Sequence, residues 1–336
     1  MRAARRAPMK GDSESSDFPG EPMREIVVFS GSSHPGLASE ICARLDLPLS
    51  PIRLERFSND CVEVQLQANC RERDVFLIQT LAAPVQDHLV ELLMMIDAAR
   101  GASASRITAV IPFYAYARSD KKDKPRISIG GRLVADLLAA AGANRVLTVS
   151  LHSPQVHGFF SVPTDHLHAL EELAARFRGL DLSNSVVVSP DLGYAKSAAA
   201  FARRLGLPVA VAAKQRISDE KVVISAIIGE VAGLDIIVVD DEIAGGSTML
   251  ELLERLRDIG VGQVRLACTH GLFGRGALER LAGQPDVVEI VATNTVPIAA
   301  QARAPKLKVI SIAPALAEAV RRIHDGESVS DLFRDG

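Results

Sequence analysis

Strand-like and helix-like segments alternate along almost the whole chain of 336 residues. This pattern is typical of a mostly parallel β-sheet covered by helices, because a parallel strand needs a crossover before the next strand can pair with it. The apolar runs predict ten strands, at 25–30, 74–80, 107–113, 145–151, 185–189, 208–213, 234–240, 263–269, 287–292 and 307–312. The amphipathic runs predict eight helices, at 36–45, 86–100, 129–141, 168–177, 194–206, 247–259, 275–281 and 315–324. So many units indicate two similar α/β lobes.

The length of the chain also suits two domains, since an average domain has about 150 residues. The hydrophobic fraction of 48% and the charged fraction of 24% are ordinary values for a globular protein. We predict an N-terminal domain at 25–166 and a C-terminal domain at 167–336, whose last helix can pack back on the first domain. Residues 1–24 are basic at first and then rich in Ser, Gly, Pro and acids, which predicts a mobile extension.

Charge, hydropathy and cysteine spacing exclude several classes of protein. A net charge of −3 argues against a nucleic-acid-binding protein that works by neutralising phosphates. No apolar run reaches the roughly 18–20 residues of a membrane span. The four cysteines, Cys42, Cys61, Cys70 and Cys268, form no Cys-x-x-Cys pair, so neither a zinc site nor a disulfide framework is indicated. We therefore expect a cytoplasmic protein.

The most informative local segment is 234–248, where an apolar run ends in acids and then in small residues. The run Ile236–Val239 is β-branched throughout, as in a parallel strand that is buried on both faces. The loop 244–248 would then precede the amino end of a helix, where backbone N–H groups and the helix dipole favour an anion. Asp240 and Asp241 would offer oxygen ligands to ribose hydroxyls or to a divalent cation. A plain strand-to-helix turn has the same pattern, so this segment alone decides nothing.

Polar residues also follow the other predicted strands. The segment 114–126 is dense in lysine and arginine and is either a polyphosphate clamp, with Arg118 offering bidentate contact, or a solvated loop. His152 comes directly after a predicted strand, where it can bind a metal ion or a nucleotide phosphate. Asp191 follows the strand at 185–189 and is placed to ligate a cation. Lys214 and Arg216 alternate along an extended segment that is either a lid over a reacting phosphate or an exposed hairpin.

Five motifs occur in a fixed order along the chain, at Phe57–Asp60, Arg118–Arg126, Leu151–Phe160, Val188–Gly193 and Val239–Ile243. Together they resemble the ribose-phosphate diphosphokinase family, and the resemblance extends over about 25–334. It implies two lobes that are each like a type I phosphoribosyltransferase, assembled in a homo-oligomer that is usually a hexamer. It also implies transfer of the diphosphoryl group of ATP to the 1-hydroxyl of ribose 5-phosphate, with Mg²⁺, giving 5-phosphoribosyl 1-diphosphate and AMP.

The resemblance assigns roles to individual residues of this chain. Ribose 5-phosphate would be bound by Asp240, Asp241, Ala244, Gly245, Gly246, Ser247 and Thr248. ATP would be bound by Arg118, Ser119 and Asp120, and by Phe57 and Asn59 in a turn from a neighbouring subunit. His152 and Asp191 would hold magnesium, while Lys214 and Arg216 would form the catalytic pair of a lid.

Three departures from the family pattern keep other interpretations open. The loop 244–248 reads Ala-Gly-Gly-Ser-Thr, whereas the family has Asp-Thr-Gly-Gly-Thr or Ala-Thr-Gly-Gly-Ser. Ser150 and Ser161 stand where many members have acids. Asn59 and Cys61 also replace acids that are common in the family, although one bacterial branch shares the asparagine. A catalytically weak homologue that assembles with or regulates active subunits is therefore one alternative. A phosphoribosyltransferase is another, although it would not need the cationic segment.

Overall fold

The computed structural model describes residues 25–216, 222–298 and 304–333. The predicted extension at 1–24 therefore lies outside the described residues. Within the described ranges, the strands of the first lobe are β1 Ile26–Ser30, β2 Ile52–Arg56, β3 Val62–Leu66, β4 Asp74–Ile78, β5 Arg106–Ile111, β6 Arg145–Val149 and β7 Thr164–Leu167. The helices of this lobe are α1 Pro35–Leu45, α2 Val85–Gly101 and α3 Gly130–Ala141.

The first lobe is built on a parallel sheet of five strands in the order β1-β4-β5-β6-β7. A separate antiparallel hairpin of β2 and β3 packs against α2. Every residue of β4 is buried, because alternate side chains contact helices on opposite faces of the sheet. Val75 and Leu77 belong to the core that includes residues of α2 and α3, while Phe76 packs with residues of α1 on the other face.

The second lobe is larger. Its strands are β8 Ser185–Ser189, β9 Val209–Arg216, β10 Val222–Ile228, β11 Asp235–Ile243, β12 Val264–Gly271, β13 Val287–Thr293 and β14 Leu307–Ile310. Its helices are α4 Leu170–Phe177, α5 Ala195–Leu205, α6 Ser247–Ile259 and α7 Ala277–Ala282. The sheet order is β10-β9-β8-β11-β12-β13-β14, and β10 is antiparallel to β9. A last helix, α8 (Ala313–Asp325), follows β14.

Helix α8 joins the two lobes, because it follows the second sheet in sequence and packs on α1 of the first lobe. Leu316, Val320 and Ile323 lie on one face of α8 at helical spacing and belong to the core that contains Leu37 of α1. The carboxyl ends of the strands of the two lobes face each other, as the contacts between β6, β11 and the loops that follow them show.

All ten predicted strands and all eight predicted helices overlap elements of the structure, so the predicted α/β class with two lobes is confirmed. Strands β2, β3, β7 and β10 were not predicted. The first two are half exposed, with polar or charged residues between the apolar ones, while β7 has only four residues, two of them Asp and His. Such strands lack the continuous apolar run that reveals a buried parallel strand.

Several predicted strand ends differ from the structure, and two of these differences concern candidate site residues. Strand β11 was expected to end at Asp240 but continues to Ile243, so Asp241 and Glu242 lie within the strand. Strand β9 was expected to end at 213 but continues through Lys214 to Arg216, where it pairs with β10. The segment that carries these two cations is therefore a strand of a hairpin. Among the described residues, no helix is long and apolar enough to cross a membrane.

Candidate active site between the lobes

The centre of the candidate site is a hydrogen bond between the two lobes. His152, just after β6, donates from Nδ1 to Oδ2 of Asp241 in β11 over 2.7 Å, although the two residues are 89 positions apart. Asp241 is buried, whereas the His152 side chain is 37% exposed. Because Nδ1 is engaged by the carboxylate, Nε2 is the ring nitrogen that can face a ligand.

Three neighbouring side chains of this region, His152, Asp241 and Asp240, have shifted pKa values. The hydrogen bond to Asp241 raises the pKa of His152, although burial opposes the shift. Burial on its own would raise the pKa of Asp241, but the hydrogen bond and charge of His152 outweigh it, so this pKa is lowered. Burial, followed by the negative charges of Asp241 and Asp191, raises the pKa of Asp240 well above its usual range. The site thus concentrates carboxylates in a space where a cation would be stabilising.

Glu242 is a further member of the site that sequence reasoning missed. Its Oε1 accepts a hydrogen bond from Nε of Arg118 over 2.9 Å, and the carboxylate is buried while the guanidinium is about half exposed. Burial raises the pKa of Glu242, and the charge of Arg118 opposes that shift. The position of Glu242 directly after two candidate acids could have identified it as a site residue. Because the strand was predicted to end at Asp240, Glu242 was placed in a loop instead.

Glu242 also completes a group of potential metal ligands. One ligand atom from each of His152, Asp241 and Glu242 lies within 4.8 Å of the others. Asp191 was predicted to share a metal with His152, but it is not a member of this group. Its Oδ1 accepts a hydrogen bond from the backbone N–H of Tyr194, and its charge acts on Asp240. The structure therefore brings Asp241 and Glu242 to His152, and Asp191 to the neighbourhood of Asp240.

The cationic segment after β5 folds into a short 3-10 turn and lines a pocket. The pocket has a volume of about 280 Å³ and is lined by Ala115, Tyr116, Arg118, Ser119, Lys121, Asp123 and Ile127. Ser119 Oγ accepts from the backbone N–H of Gly130 over 2.8 Å, and Asp120 accepts from Gln155 over 2.8 Å. These bonds fix the segment beside Arg118, whose charge lies between the pocket and Glu242.

The segment 244–248 follows β11, as the sequence predicts: residues 244–246 form the connection, and Ser247 and Thr248 are the first residues of α6. Gly246 occupies the left-handed region with φ of +75°, and a Cβ there would lie 3.0 Å from that of Ala277, so this position requires glycine. Gly246 is the N-cap of α6 and supplies no side-chain hydrogen bond to the first turn. The loop is held from the other side by Arg280, which donates to the Gly245 carbonyl over 2.6 Å. The amino end of α6 can thus present backbone N–H groups to an anion.

The remaining predicted residues lie elsewhere. Phe57 is 49% exposed in the turn between β2 and β3, where Asn59 accepts a hydrogen bond from the backbone N–H of Cys61. Neither Phe57 nor Asn59 lines the Arg118 pocket. Lys214 and Arg216 have backbones in β9, but their side chains lie outside the described part of the structure.

Comparison with known proteins gives a consistent result. The family description "N-terminal domain of ribose phosphate pyrophosphokinase" matches 26–142, and "Phosphoribosyl synthetase-associated domain" matches 215–334. A Streptomyces coelicolor protein, provisionally named a ribose-phosphate pyrophosphokinase, is 72% identical over 311 residues, covering 93% of this chain and 98% of that protein. The ribose-phosphate pyrophosphokinase of Deinococcus radiodurans is 49% identical over 313 residues, covering 92% and 98%.

A solved structure is similar over almost the same range. The crystal structure of phosphoribosylpyrophosphate synthetase from Mycobacterium smegmatis superposes with a TM-score of 0.85 at 38% identity. The match covers 90% of this chain and 100% of that chain. Both lobes and their relative placement are therefore shared with that structure.

Proposed function

The chain belongs to the ribose-phosphate pyrophosphokinase family, and we propose that its inter-lobe site transfers the diphosphoryl group of ATP to the 1-hydroxyl of ribose 5-phosphate. The products are 5-phosphoribosyl 1-diphosphate and AMP, for use in nucleotide biosynthesis. The observation that carries the proposal is the direct contact of an ATP-side segment with a sugar-side strand, through Arg118 to Glu242 and His152 to Asp241. A transfer between two bound substrates requires such a juxtaposition.

On the ATP side, we propose that Arg118, Ser119 and Asp120 contact the nucleotide. The pocket beside Arg118 has the concave shape of a small-molecule site. The guanidinium of Arg118 is exposed enough to receive a phosphate. Phe57 and Asn59 would contact the adenine of a neighbouring subunit, which requires a homo-oligomer, a hexamer by family resemblance. The half-exposed ring of Phe57 suits such a contact.

On the sugar side, Asp240 and Asp241 would accept hydrogen bonds from ribose hydroxyls, and the loop Ala244–Thr248 would hold the 5-phosphate. The free amino end of α6 and the left-handed Gly246 support this part of the proposal. The two glycines are displaced relative to the family pattern, but the backbone N–H groups that bind phosphate do not depend on side-chain identity. We therefore expect phosphate binding to persist, with an altered affinity.

Magnesium fits the residues present. The carboxylates of Asp241 and Glu242 beside the His152 imidazole form an oxygen-rich donor set. A divalent cation would also stabilise the charged form of Asp240, whose pKa is raised by burial and then by its acidic neighbours. We propose that His152 and Asp191 hold Mg²⁺, with Asp191 approaching from the side of Asp240. Asp241 would orient the His152 ring, and Asp241 and Glu242 would add carboxylates beside His152. When bound, Mg²⁺ would neutralise charge on the transferring phosphoryl oxygens.

Catalysis then depends on further cations and on position. The transition state concentrates negative charge on phosphoryl oxygens, so lysine and arginine aimed at them lower the barrier. We propose this role for Lys214 and Arg216, which occupy alternate positions in the sequence of β9. The anomeric hydroxyl is the nucleophile, and no covalent intermediate with the protein is required.

All four cysteines are free, which supports a reducing cytoplasmic location.

The experiment that tests the function is a product assay with purified protein, ATP, ribose 5-phosphate and magnesium. We expect AMP and 5-phosphoribosyl 1-diphosphate in equal amounts. Formation of ADP, or no AMP at any phosphate or magnesium concentration, would contradict the proposal. Formation of a nucleotide from a base and 5-phosphoribosyl 1-diphosphate would instead indicate a phosphoribosyltransferase.

A pair of lysine variants tests the catalytic assignment. Lys214→Ala should lower kcat far more than it raises KM for either substrate, because the charge acts mainly in the transition state. Lys308→Ala removes an exposed lysine from β14 and should leave both parameters unchanged. Full turnover by the Lys214 variant would refute the assignment.

A further inference from the structure

A buried histidine of the second lobe bonds the backbone that leads to His152. His270 lies in β12 and is almost fully buried. Its Nε2 lies 3.2 Å from the carbonyl oxygen of Val149 and 3.1 Å from that of Ser150, both at the end of β6 in the first lobe. Its ring packs on Phe113 with centroids 4.8 Å apart. Ser150, whose carbonyl contacts His270, is two residues before His152 in the sequence. His270 of the second lobe is therefore connected to the backbone that carries His152.

The hydrogen-bond partners define the protonation of the ring. Carbonyl oxygens only accept, so Nε2 carries the proton and donates to them. Nδ1 then accepts from the hydroxyl of Thr295 over 2.9 Å. The same hydroxyl lies 3.1 Å from the Thr269 carbonyl, which also accepts from Thr293 over 2.7 Å, so the contact of Thr295 with Nδ1 is the shorter of its two. Burial lowers the pKa of His270 to about 4, so the ring is neutral near pH 7 and both of its nitrogens are bonded.

The backbone that His270 holds has an uncommon conformation. Ser150 has φ of +43°, in the left-handed region that non-glycine residues seldom adopt, and such a residue needs its surroundings to maintain it. Its N–H donates to the Leu167 carbonyl over 2.8 Å, and its hydroxyl accepts from Thr269 over 3.2 Å. The turn at Ser150 redirects the chain from β6 into the loop that carries His152. The placement of His152 therefore depends on the contacts of this turn.

Hydrogen bonds also connect Thr295 with residues that follow two other strands of the first sheet. The carbonyl of Thr295 accepts from the hydroxyl of Thr80 over 2.7 Å, and that hydroxyl accepts from the backbone N–H of Phe113 over 3.1 Å. Thr80 follows β4 and Phe113 follows β5. His270 and Thr295 thus bond the carboxyl end of β6 and Thr80 after β4, and Thr80 extends these bonds to Phe113 after β5.

We propose that His270 is a positioning residue for the transfer reaction: its neutral ring holds the left-handed turn at Ser150 and so sets His152 against Asp241 across the lobe boundary. The inference rests on the proposed function, because the position of His152 on the ATP and magnesium side of the site would then depend on a residue that contacts neither substrate. It predicts that loss of the Nε2 donor displaces His152 while the sugar-phosphate loop is unaffected.

The test compares His270→Leu, which removes the donor, with His270→Gln, which returns an N–H donor at a similar distance from the backbone. We expect the leucine variant to lose about 100-fold in kcat/KM for ATP, as a small misplacement of a reacting group can cause, with KM for ribose 5-phosphate within about threefold of wild type. The glutamine variant should recover most of this loss. His324→Leu is the matched control, since His324 is only slightly exposed but bonds Asp74 at the amino end of β4, away from the site.

A second readout is independent of turnover. In metal-free protein, NMR titration should show the pKa of His152 falling toward its ordinary value in His270→Leu, because the bond to Asp241 is lost, and returning in His270→Gln. Wild-type activity tests the proposed function, whereas this titration tests the inference even if no AMP is formed. Should the leucine variant not fold, Thr295→Val, which keeps the ring but removes its Nδ1 partner, takes its place. An unchanged His152 titration in a folded variant, or equal kinetic loss in the His324 control, overturns the proposal.

Discussion

Substitution of Gly246 by alanine isolates the conformational requirement of the loop before α6. A residue with a Cβ in the left-handed region costs about 1–2 kcal/mol. The added Cβ would also lie 3.0 Å from that of Ala277, so either the loop or α7 must shift. Gly245→Ala is the matched control, since its Cβ would meet no atom within 4 Å and its φ is not positive. Both substitutions reduce the entropy of the unfolded chain equally, so that contribution cancels in the comparison.

We expect the Gly246 variant to be less stable than the Gly245 variant by about 2 kcal/mol, which corresponds to a difference in Tm of roughly 4–8 °C for a lobe of this size. Thermal unfolding of the two variants without ligand measures this difference. If the displaced loop also holds the 5-phosphate, the Gly246 variant should raise KM for ribose 5-phosphate about tenfold, or 1.4 kcal/mol. KM for ATP should not change.

The result that would refute this reasoning is an equal Tm for the two variants. It would mean that the left-handed conformation at Gly246 is not required by the folded loop. A lower Tm for the Gly246 variant with an unchanged KM for ribose 5-phosphate would have a different meaning. The loop would then be strained as described, but the phosphate would bind elsewhere.

Two further predictions concern buried acids. Asp74→Asn should lower the free energy of unfolding in urea by about 3 kcal/mol, because it leaves the partly buried Arg106 without its counter-charge, whereas Asp97→Asn in an exposed pair should change it by less than about 0.5 kcal/mol. Asp241→Asn should lower the pKa of His152 in metal-free protein, measured by NMR. In the wild type, the pair stabilises the fold at pH values below the pKa that His152 has in the unfolded chain. The stabilisation is lost as pH rises through the higher pKa that His152 has in the folded protein.

The parts of the fold that were predicted correctly are those in which sequence pattern and burial coincide. Ile236–Val239 is buried on both faces, with Val238 in one core and Ile237 in the other, so its β-branched run needed no knowledge of its neighbours. Helix α6 was predicted with its observed bounds, 247–259, because the small-residue loop before it and Gly260 after it mark both ends. Local physics determines elements of this kind.

The arrangement of the site could not be predicted in the same way, because it depends on contacts between residues far apart in sequence. Asp241 and Glu242 lie in a buried strand only because His152 and Arg118, from the other lobe, supply the opposing charge. From sequence alone, acids of this kind indicate the end of a strand, since an unpaired carboxylate is costly to bury. The prediction of β11 failed at the position where this inter-lobe pairing begins.

The same dependence explains one departure from the family pattern. The resemblance predicts an acid at position 150, but in this chain the Ser150 hydroxyl is buried, accepts from Thr269 and lies 3.4 Å from the backbone nitrogen of Ala169. The adjoining site already contains several carboxylates, and the pKa of Asp240 is raised by burial and by its acidic neighbours. A neutral hydroxyl provides a hydrogen-bond acceptor at the turn without adding a charge to this cluster. The serine is therefore consistent with an intact site, in which His270 and Thr269 hold the turn that carries His152.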